Sequence, residues 1–454
     1  MIARELATWG LGLTEVPDDV RRAALRHLLD GMGTAVGGIR AGSADPAVEV
    51  ALGLGGPQEA TILGQTSRVS APAAALANGT LVHALDFDDT HAGGLVHATA
   101  VVLPAALAVG EQVQASGDDV LMAAVVGYET ACRIAAAAPH GFHARGLHAT
   151  MVAGVFSSAI IAARLGGLDV DRTTNALGIA GSQAGGLLAF LGTGASTKQL
   201  HPGFASQAGI IAARLAAAGA TGPETVFDGP HGVFDALAQG VANPHGIVAD
   251  LGERWETTRI GIKPYAACQL SHATLDAVQD ARRQVEFGVD DIELITARVH
   301  PDSASVVCDT SRDLTRPASP YAAKFSLPWS VAALLADGTM TLETFDETSI
   351  ARPELFDLAA RVRVELAPSQ QVAADARGEV RVQLRDGRQI VGTVERSAGG
   401  PDNPLSDADL HAKFTGNVGP GAAPLIAAIE SLPDQPDLRH LMTVVAKTAA
   451  DLSD

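Results

Sequence analysis

The sequence predicts a mainly α protein, with a large all-helical domain and a smaller α+β lid domain inserted before the C-terminal helices. The first observation is an alanine-rich, helix-periodic pattern from residue 15 to about residue 240. The second is strand-like alternation after about residue 256, with an Asp386-Gly387 turn. The third is helical spacing that returns near Ser406. We therefore predict a large domain of residues 1–255 and 399–454 and a small domain of residues 256–398.

The large domain is nearly continuously apolar between glycine and proline breaks, which predicts helices buried on more than one side. Its clearest helical stretches are Val16–Val36, Ala73–Leu85, Val120–Ala137, Thr150–Leu165, Thr173–Leu188 and Phe204–Ala218. No strand followed by a glycine-rich loop opens the chain, which argues against a nucleotide-binding α/β fold. After a loop at 397–404, Ser406 and Asp409 form a capping-box pattern, and helices at 425–432 and 438–452 follow.

The small domain combines β-formers with two helical stretches. The predicted strands are Ile292–Val299, Ala360–Leu366, Gly378–Leu384 and Gln389–Val394, and the helices are Ser271–Gln284 and Pro328–Leu335. Period-two alternation on both sides of Asp386-Gly387 predicts a β-hairpin.

Composition limits the possible partners and cofactors. A net charge of −19 argues against nucleic acid and against an anionic membrane, since both require clustered cations. The three cysteines, Cys132, Cys268 and Cys308, are too widely spaced for a disulfide framework, a zinc motif or an iron–sulfur cluster. No secretory signal and no membrane-spanning run is visible. These features predict a cytoplasmic protein, and without a His-Glu-x-x-His or calcium-loop pattern a metal site is disfavoured.

Ten of the 14 histidines lie between His83 and His272, in short glycine-punctuated segments. The first segment pairs an acidic run at 86–89 with His97. Such a run can orient an imidazole, bind a metal, cap a helix or simply be solvated. The nearby His91 and His97 favour a functional role, because a carboxylate that holds one ring nitrogen sets the tautomer of the other. The second segment, 140–150, carries three histidines on a predicted loop between helices.

The third and fourth segments contain two of only five lysines, which are Lys198, Lys263, Lys324, Lys413 and Lys447. In segment 192–203 a threonine stands where a phosphate-binding loop requires glycine, so we reject a nucleotide site. Lys198 is then either a surface lysine or the cation for a carboxylate. In segment 262–272, a nucleophilic Cys268 is conceivable, but a packing role for it is favoured.

Taken together, these segments resemble the MmgE/PrpD family, which includes 2-methylcitrate dehydratase, cis-aconitate decarboxylase and iminodisuccinate epimerase. The matching stretches are His83–Thr90 with Leu95–His97, Gly146–Thr150, Thr197–Gly203, Gly222-Pro223 with Phe227–Gly229, Lys263–Tyr265 with His272, and Ala323–Pro328. They follow the family's order over nearly the whole chain. The resemblance implies a helical domain with an α+β lid, usually a homodimer, and cofactor-independent chemistry on small di- or tricarboxylates.

Resemblance to the decarboxylase branch also implies a set of active-site positions. They are Asp86, Thr90, His97, His148, Lys198 and His272. The interval from Thr90 to His97 is one residue longer than in the decarboxylase, which weakens the case for decarboxylation itself. Tyr321 is the candidate for the tyrosine that the family carries near its Phe-Ser-Leu-Pro segment.

The predicted chemistry is proton movement at a carbon next to a carboxylate, which requires a base, an acid and cations for the developing charge. We expect His97 and His148 to exchange protons, while Asp86 orients one imidazole and Thr90 donates a hydrogen bond. Lys198 and His272 are expected to bind carboxylates, and the further predicted substrate contacts are Lys263, Tyr265 and Tyr321.

The leading functional prediction is a hydro-lyase that dehydrates a hydroxy-polycarboxylate such as 2-methylcitrate. An epimerase or racemase of an N-substituted dicarboxylic amino acid uses the same proton transfer without a leaving group, and a cis-aconitate-type decarboxylase is a further alternative. A non-catalytic binding protein and a metallohydrolase are more distant alternatives.

Overall fold

The structure is a computed structural model, and it describes residues 1–452. Residues 453 and 454, predicted to belong to the large domain, lie outside the described residues. The chain divides into two compact units. Unit 1 comprises residues 1–188, 197–260 and the chain from 407 onward, and unit 2 comprises residues 189–196 and 261–406. Within residues 1–452, no helix has both the length and the apolarity that crossing a bilayer requires.

Helices dominate unit 1. They are α1 (Ile2–Gly12), α2 (Asp18–Arg40), α3 (Asp45–Leu54), α4 (Ala71–His83), α5 (Thr99–Val113), α6 (Gly117–Ala136), α7 (Gly141–Ala144), α8 (Ala149–Leu165), α9 (Val170–Gly181), α10 (Thr197–Ala217), α11 (Val233–Leu237), and, after unit 2, α18 (Asp407–Val418), α19 (Ala422–Glu430) and α20 (Arg439–Ala450). Short strands lie between them: β1 (Ala60–Thr61), β2 (Arg68–Val69) and β3 (Thr90–His91).

Unit 2 mixes helices with a sheet. Its helices are α12 (His272–Gln284), α13 (Pro301–Val307), α14 (Pro320–Ala323), α15 (Leu327–Asp337), α16 (Glu347–Ile350) and α17 (Pro353–Ala359). Strand β4 (Ile260–Gly261) stands where the chain passes from unit 1 to unit 2, and β5 (Ile292–Val299), β6 (Val362–Leu366), β7 (Gly378–Leu384) and β8 (Gln389–Val394) follow.

Small side chains let the helices of unit 1 pack closely. Helix α8 lies against α5, α6, α9 and α10, and its residues are almost entirely buried. Helix α4 is buried on every side, which explains why its sequence has no polar stripe. Because alanine and glycine occupy so much of this core, polar side chains at the helix ends can approach one another inside it.

Helices α4 and α10 cross with their backbones almost in contact at Gly79 and Gly203. A Cβ atom on Gly79 would lie 2.8 Å from the Gly203 nitrogen, and a Cβ atom on Gly203 would lie 2.2 Å from the Leu76 carbonyl oxygen. Only glycine fits such an approach. The crossing sets the beginning of α10, which carries Lys198, beside the chain that leaves α4.

The sheet of unit 2 has the strand order β6-β5-β7-β8. Strands β5 and β6 are parallel, whereas β5–β7 and β7–β8 are antiparallel. Helix α12 packs directly on β7 and β8, since a Cβ atom on Gly378 or Gly392 would lie 2.0 Å from a carbonyl oxygen of α12. The predicted hairpin is confirmed, and Gly387 adopts a φ of 90° in its turn.

The predicted mainly α fold with a small mixed sheet is confirmed, but several boundaries differ. The helix predicted at Thr173–Leu188 ends at Gly181. Helix α5 was not predicted, and it contains Pro104. Helix α10 begins at Thr197 rather than Phe204, so Lys198 lies in the first helical turn instead of in a loop.

Replacing Gly203 by alanine is expected to destabilise unit 1 by about 1–3 kcal/mol, because the added methyl group overpacks the crossing with α4. Urea unfolding monitored by circular dichroism measures the change. Gly53→Ala on α3 is the matched control. A Cβ atom there meets nothing within 4 Å, so the free energy of unfolding should stay the same or rise slightly. Equal stabilities of the two variants would contradict the close crossing.

Candidate active site

A polar loop buried inside unit 1 connects α4 to α5. Asp86, Asp88 and Asp89 are all 0% exposed, so the solvated interpretation of this acidic run is wrong. Asp86 has a φ of 50°, a conformation that is uncommon for residues other than glycine. The loop then forms β3 and turns back, with the His91 N–H donating to the Val96 carbonyl at 2.9 Å.

Hydrogen bonds to α5 and α18 hold this loop in place. Asp89 accepts hydrogen bonds from the Thr99 backbone N–H at 3.0 Å and from the Thr99 hydroxyl, and so it caps α5. Burial raises the pKa of Asp89 to about 8. Lys413 on α18 donates to the Phe87 carbonyl at 2.8 Å and pairs with Asp30 at 2.6 Å. The loop is thus part of the folded core rather than a surface excursion.

One backbone carbonyl and one side-chain hydroxyl set the orientation of His97. Its Nδ1 lies 2.9 Å from the Asp89 carbonyl oxygen and 3.1 Å from Thr90 Oγ1. A carbonyl can only accept, so Nδ1 carries the proton and Nε2 carries the lone pair. The Thr90 oxygen also accepts from Nδ1, which leaves its hydroxyl hydrogen to donate elsewhere. His97 therefore presents a basic nitrogen while its ring is fixed.

His148 precedes α8 as its N-cap residue and contacts a second histidine. Its Nδ1 lies 3.1 Å from Nδ1 of His201, so one ring donates and the other accepts. The pKa of His148 lies well below its usual value, mainly because the ring is buried and secondarily because Lys198 and His83 are near. At neutral pH His148 is consequently an uncharged imidazole that can accept a proton.

Lys198 forms a buried ion pair with Asp86. Its Nζ donates to Asp86 Oδ1 at 2.7 Å, and the lysine is only 5% exposed. The neighbouring Gln199 anchors the start of α10 by donating to the Ala84 carbonyl at 2.8 Å. Removing one partner of such a pair leaves an uncompensated buried charge. Asp86 therefore holds the Lys198 ammonium inside the protein, where solvent screens its charge only weakly.

These segments bring a group of imidazoles together, which we call the histidine cluster: His83, His97, His143, His148 and His201. The ring of His83 lies 4.7 Å from that of His97 and 5.7 Å from that of His148. Two sets of described residues have donor atoms within 4.8 Å of one another and could hold a metal ion. They are His83, His97 and His148, and His83, Asp86, Asp88 and His97.

Of the predicted site residues, Asp86, Thr90, His97, His148 and Lys198 lie in unit 1, where the loop and the helix ends bring them together. Sequence reasoning missed three residues among them: His83, Asp88 and His201. Each lies within a stretch that carried the family resemblance, but histidine at a helix end is also a common packing residue. The available signal was the His-x₄-Asp spacing of His83 and Asp88 after α4.

The other predicted site residues lie in unit 2. His272 opens α12, is 0% exposed, and donates from Nε2 to the Ala267 carbonyl at 3.1 Å. The ring of Tyr265 meets it edge-on at 5.3 Å, and the Tyr265 hydroxyl donates to Asp276 at 2.7 Å.

The remaining predicted residues of unit 2 are Lys263 and Tyr321. Lys263 is 1% exposed. Tyr321 is half-buried on α14, with its ring 5.5 Å from that of Phe325. Cys268 is buried, and its backbone N–H donates to the Lys324 carbonyl.

Comparison with known proteins covers most of the chain. Residues 4–244 match the MmgE/PrpD N-terminal domain, and residues 265–427 match the MmgE/PrpD C-terminal domain. A cis-aconitate decarboxylase of Aspergillus terreus is 30% identical over 436 residues, which span 90% of this chain and 88% of that protein. The cis-aconitate decarboxylases of Mus musculus and Homo sapiens are each 28% identical. They align with 94% and 97% of this chain and with 89% and 93% of their own lengths.

The buried histidines predict that unit 1 loses stability in acid. Burial lowers the pKa of His27, His143 and His201 from 6.5 to about 4, and it lowers that of His148 as well. Between about pH 4 and 6.5 the unfolded chain therefore binds more protons than the folded chain, and stability falls as the pH falls through this window. Asp89 acts in the opposite direction, because its folded pKa is raised to about 8.

Together, the four histidines and Asp89 correspond to a net uptake of at most three protons on unfolding. The free energy of unfolding then changes by roughly 4 kcal/mol per pH unit as an upper limit. Urea unfolding at pH 7 and at pH 5 measures it. His143→Gln removes one of the four histidines and should lower the proton uptake on unfolding by up to one proton. The free energy of unfolding should then change less between the two pH values. A free energy of unfolding that is equal at the two pH values would contradict this assignment.

Proposed function

The chain belongs to the MmgE/PrpD family, and from this we propose that it is a cofactor-independent lyase that moves a proton at a carbon next to a carboxylate of a small polycarboxylate. The observation that carries the proposal is the convergence of the histidine cluster with the buried Lys198–Asp86 pair. Proton exchange at such a carbon requires a base, an acid and a cation. Imidazoles that can serve as base and acid lie together with an ammonium group in unit 1.

Lys198 is the proposed cation for a substrate carboxylate. An ammonium carries three N–H donors, so it can hold Asp86 and a substrate carboxylate at the same time. Asp86 positions the ammonium through their 2.7 Å bond. In a buried setting this charge stabilises the negative charge that develops on the substrate more strongly than it would in water.

His97 and His148 are the proposed proton carriers. His148 is uncharged at neutral pH, because burial lowers its pKa, and so it has a ring nitrogen that can accept a proton. His97 is oriented by the Asp89 carbonyl and by Thr90, whose hydroxyl hydrogen remains able to donate to a substrate oxygen. Positioned imidazoles of this kind typically contribute factors of about 10²–10⁴ to a rate.

The names of the relatives support decarboxylation as the first reaction to test. In a cis-aconitate-like substrate, the bond between a methylene carbon and its carboxylate breaks and carbon dioxide leaves. The released electron pair forms a new C=C bond, and the former C=C pair shifts to the carbon next to a second carboxylate. That carbon takes a proton, for which His97 or His148 is the proposed donor.

Dehydration of a hydroxy-polycarboxylate is the second candidate. The longer interval from Thr90 to His97 departs from the decarboxylase pattern and favours it. The same imidazoles would then remove the proton at carbon and protonate the leaving hydroxyl group. Epimerisation uses only the proton exchange. For His272, Lys263, Tyr265 and Tyr321, substrate contact stays a prediction, as does the homodimer.

Incubation with cis-aconitate, citrate and 2-methylcitrate in deuterated water should separate these reactions. Decarboxylation is expected to release carbon dioxide and to leave one deuterium in the product, which mass spectrometry measures. Growing alkene absorbance without carbon dioxide would indicate dehydration instead. Exchange in an amino-dicarboxylate such as iminodisuccinate, without loss of mass, would indicate an epimerase. No turnover and no exchange with any of these compounds would contradict the proposed function.

Replacing Lys198 by methionine should lower kcat/KM by about 10²-fold or more, because the cation opposite the developing charge is lost. Steady-state kinetics measures the change, and Lys447→Met at an exposed position of α20 is the matched control. The single variant leaves Asp86 buried without its ammonium partner, which threatens folding. The double variant Lys198→Met/Asp86→Asn removes both charges, and full activity of the folded double variant would contradict the role.

A further inference from the structure

A buried ammonium from α18 holds a backbone carbonyl of the loop between α4 and α5. Lys413 Nζ donates to the Phe87 carbonyl oxygen at 2.8 Å and lies 4.1 Å from the centroid of the Phe87 ring. It also pairs with Asp30 Oδ1 of α2 at 2.6 Å, and both side chains of this ion pair are buried. One ammonium thus contacts the backbone, an aromatic ring and a counter-ion at the same time. Phe87 and Lys413 are 326 residues apart in the sequence, so only the fold brings them together.

Phe87 lies between two carboxylates of the candidate site. Asp86 accepts a hydrogen bond from Lys198 Nζ at 2.7 Å. Asp88 lies 2.8 Å from Nδ1 of His83. Both carboxylates belong to neighbours of Phe87, so a shift of the Phe87 backbone moves them as well. The position of Phe87 therefore affects where the Lys198 ammonium and the His83 ring lie.

The loop adopts a conformation that its own residues disfavour. The φ of Asp86 is 50°, in the left-handed region that is unfavourable for residues other than glycine. Two side chains from distant helices hold carbonyls on either side of it. Gln199 on α10 donates to the Ala84 carbonyl at 2.8 Å, and Lys413 on α18 donates to that of Phe87. Such a conformation persists when the surrounding structure holds it on both sides.

A second cation of unit 1 makes the same kind of bond away from the candidate site. Arg164, in the last turn of α8, donates to the carbonyl oxygens of Gly10 at 2.5 Å and Leu13 at 2.7 Å. Helix α8 has 17 residues, so Arg164 lies about 24 Å along the helix axis from His148 at its other end. These bonds fix the end of α1. The Lys413 bond differs because its acceptor stands between two carboxylates of the candidate site.

We propose that Lys413 is a positioning residue of the candidate active site. By holding the Phe87 carbonyl, Lys413 keeps Asp86 in place. Asp86 in turn keeps the Lys198 ammonium where a substrate carboxylate binds. This inference rests on the proposed function. Lys413 touches no reacting atom in it and transfers no proton, and α18 contributes to substrate binding through this one backbone bond.

A positioning role and a purely structural role predict different kinetics. A loss of stability lowers the fraction of folded enzyme, which lowers the apparent kcat but leaves KM unchanged. A displaced Lys198 ammonium weakens substrate binding in every folded molecule, so KM rises. The measurement of KM therefore separates the two roles.

Asp30→Asn/Lys413→Met tests the inference, because it removes the ammonium without leaving an unpaired buried charge. Phe414→Leu is the matched control on the same helix. Phe414 is 1% exposed, and a Cβ atom on Gly33 of α2 would lie 2.7 Å from its ring, so this variant loosens the packing of α18 on α2. It leaves the bond to Phe87 in place. Steady-state kinetics on the substrate that the wild type turns over gives kcat and KM, and melting temperatures report folding.

We expect the double variant to raise KM by about 10-fold, the size that corresponds to weakening one charge-assisted hydrogen bond to the substrate. Phe414→Leu and a second control, Arg164→Met, should lower the melting temperature while KM stays within about 2-fold of the wild-type value. Asp30→Asn alone retains the bond from Nζ to the Phe87 carbonyl, so its KM should also stay close to that of the wild type.

Asp30→Asn/Lys413→Gln carries the test if the methionine variant does not fold. Its two amides can pair with each other, which satisfies the buried polar groups. The glutamine side chain is one bond shorter than that of lysine, so its amide ends short of the position that Nζ occupies. The same rise in KM is expected.

A folded double variant with the wild-type KM would overturn the inference and leave the proposed function intact. An equal rise of KM in Phe414→Leu would overturn it too, because the packing of α18 would then explain the effect. Loss of folding in both double variants would assign Lys413 to stability and would likewise overturn it. A wild-type protein that turns over none of the polycarboxylates would overturn the proposed function and this inference with it, and the wild-type assay alone identifies that case.

Discussion

Burying ionisable side chains is costly unless each has a partner, and this constraint shapes unit 1 around the loop between α4 and α5. Asp86 is matched by Lys198, Asp88 by His83, and Asp89 by the first turn of α5. None of these partners is close in sequence to all the others. The loop can therefore exist in this conformation only when α4, α5 and α10 are packed together, so the integrity of the candidate site is tied to that of the core.

The close crossing of α4 and α10 is what makes these pairs possible. Two glycines let the backbones approach, and the first turn of α10 then lies beside the loop that leaves α4. Glycine also allows a close approach in unit 2, where Gly378 and Gly392 let α12 lie directly on the sheet. In both units a candidate site residue stands in the first turn of the closely packed helix: Lys198 on α10 and His272 on α12.

Local patterns predicted the helices, the strands and the hairpin, because apolar periodicity and an Asp-Gly turn act over a few residues. These local patterns failed where contacts between distant segments determine the conformation. Pro104 reads as a helix breaker, yet α5 passes through it because buried neighbours hold the helix on both sides. Likewise His97, His148 and Lys198 were identified by motif, whereas His83 was not. Its place in the histidine cluster follows from the folded packing of distant segments, which has no counterpart in the spacing of residues.

The scarcity and burial of lysine have a practical consequence. All five lysines lie within the described residues, and the side chains of Lys198, Lys263, Lys324 and Lys413 are enclosed by the protein. Lys447, near the end of α20, is the exposed one. Amine-reactive dyes, cross-linkers and activated resins will consequently attach to the folded chain at Lys447 or at the α-amino group. Such conjugation gives nearly uniform, oriented coupling and leaves the buried ammonium groups unmodified.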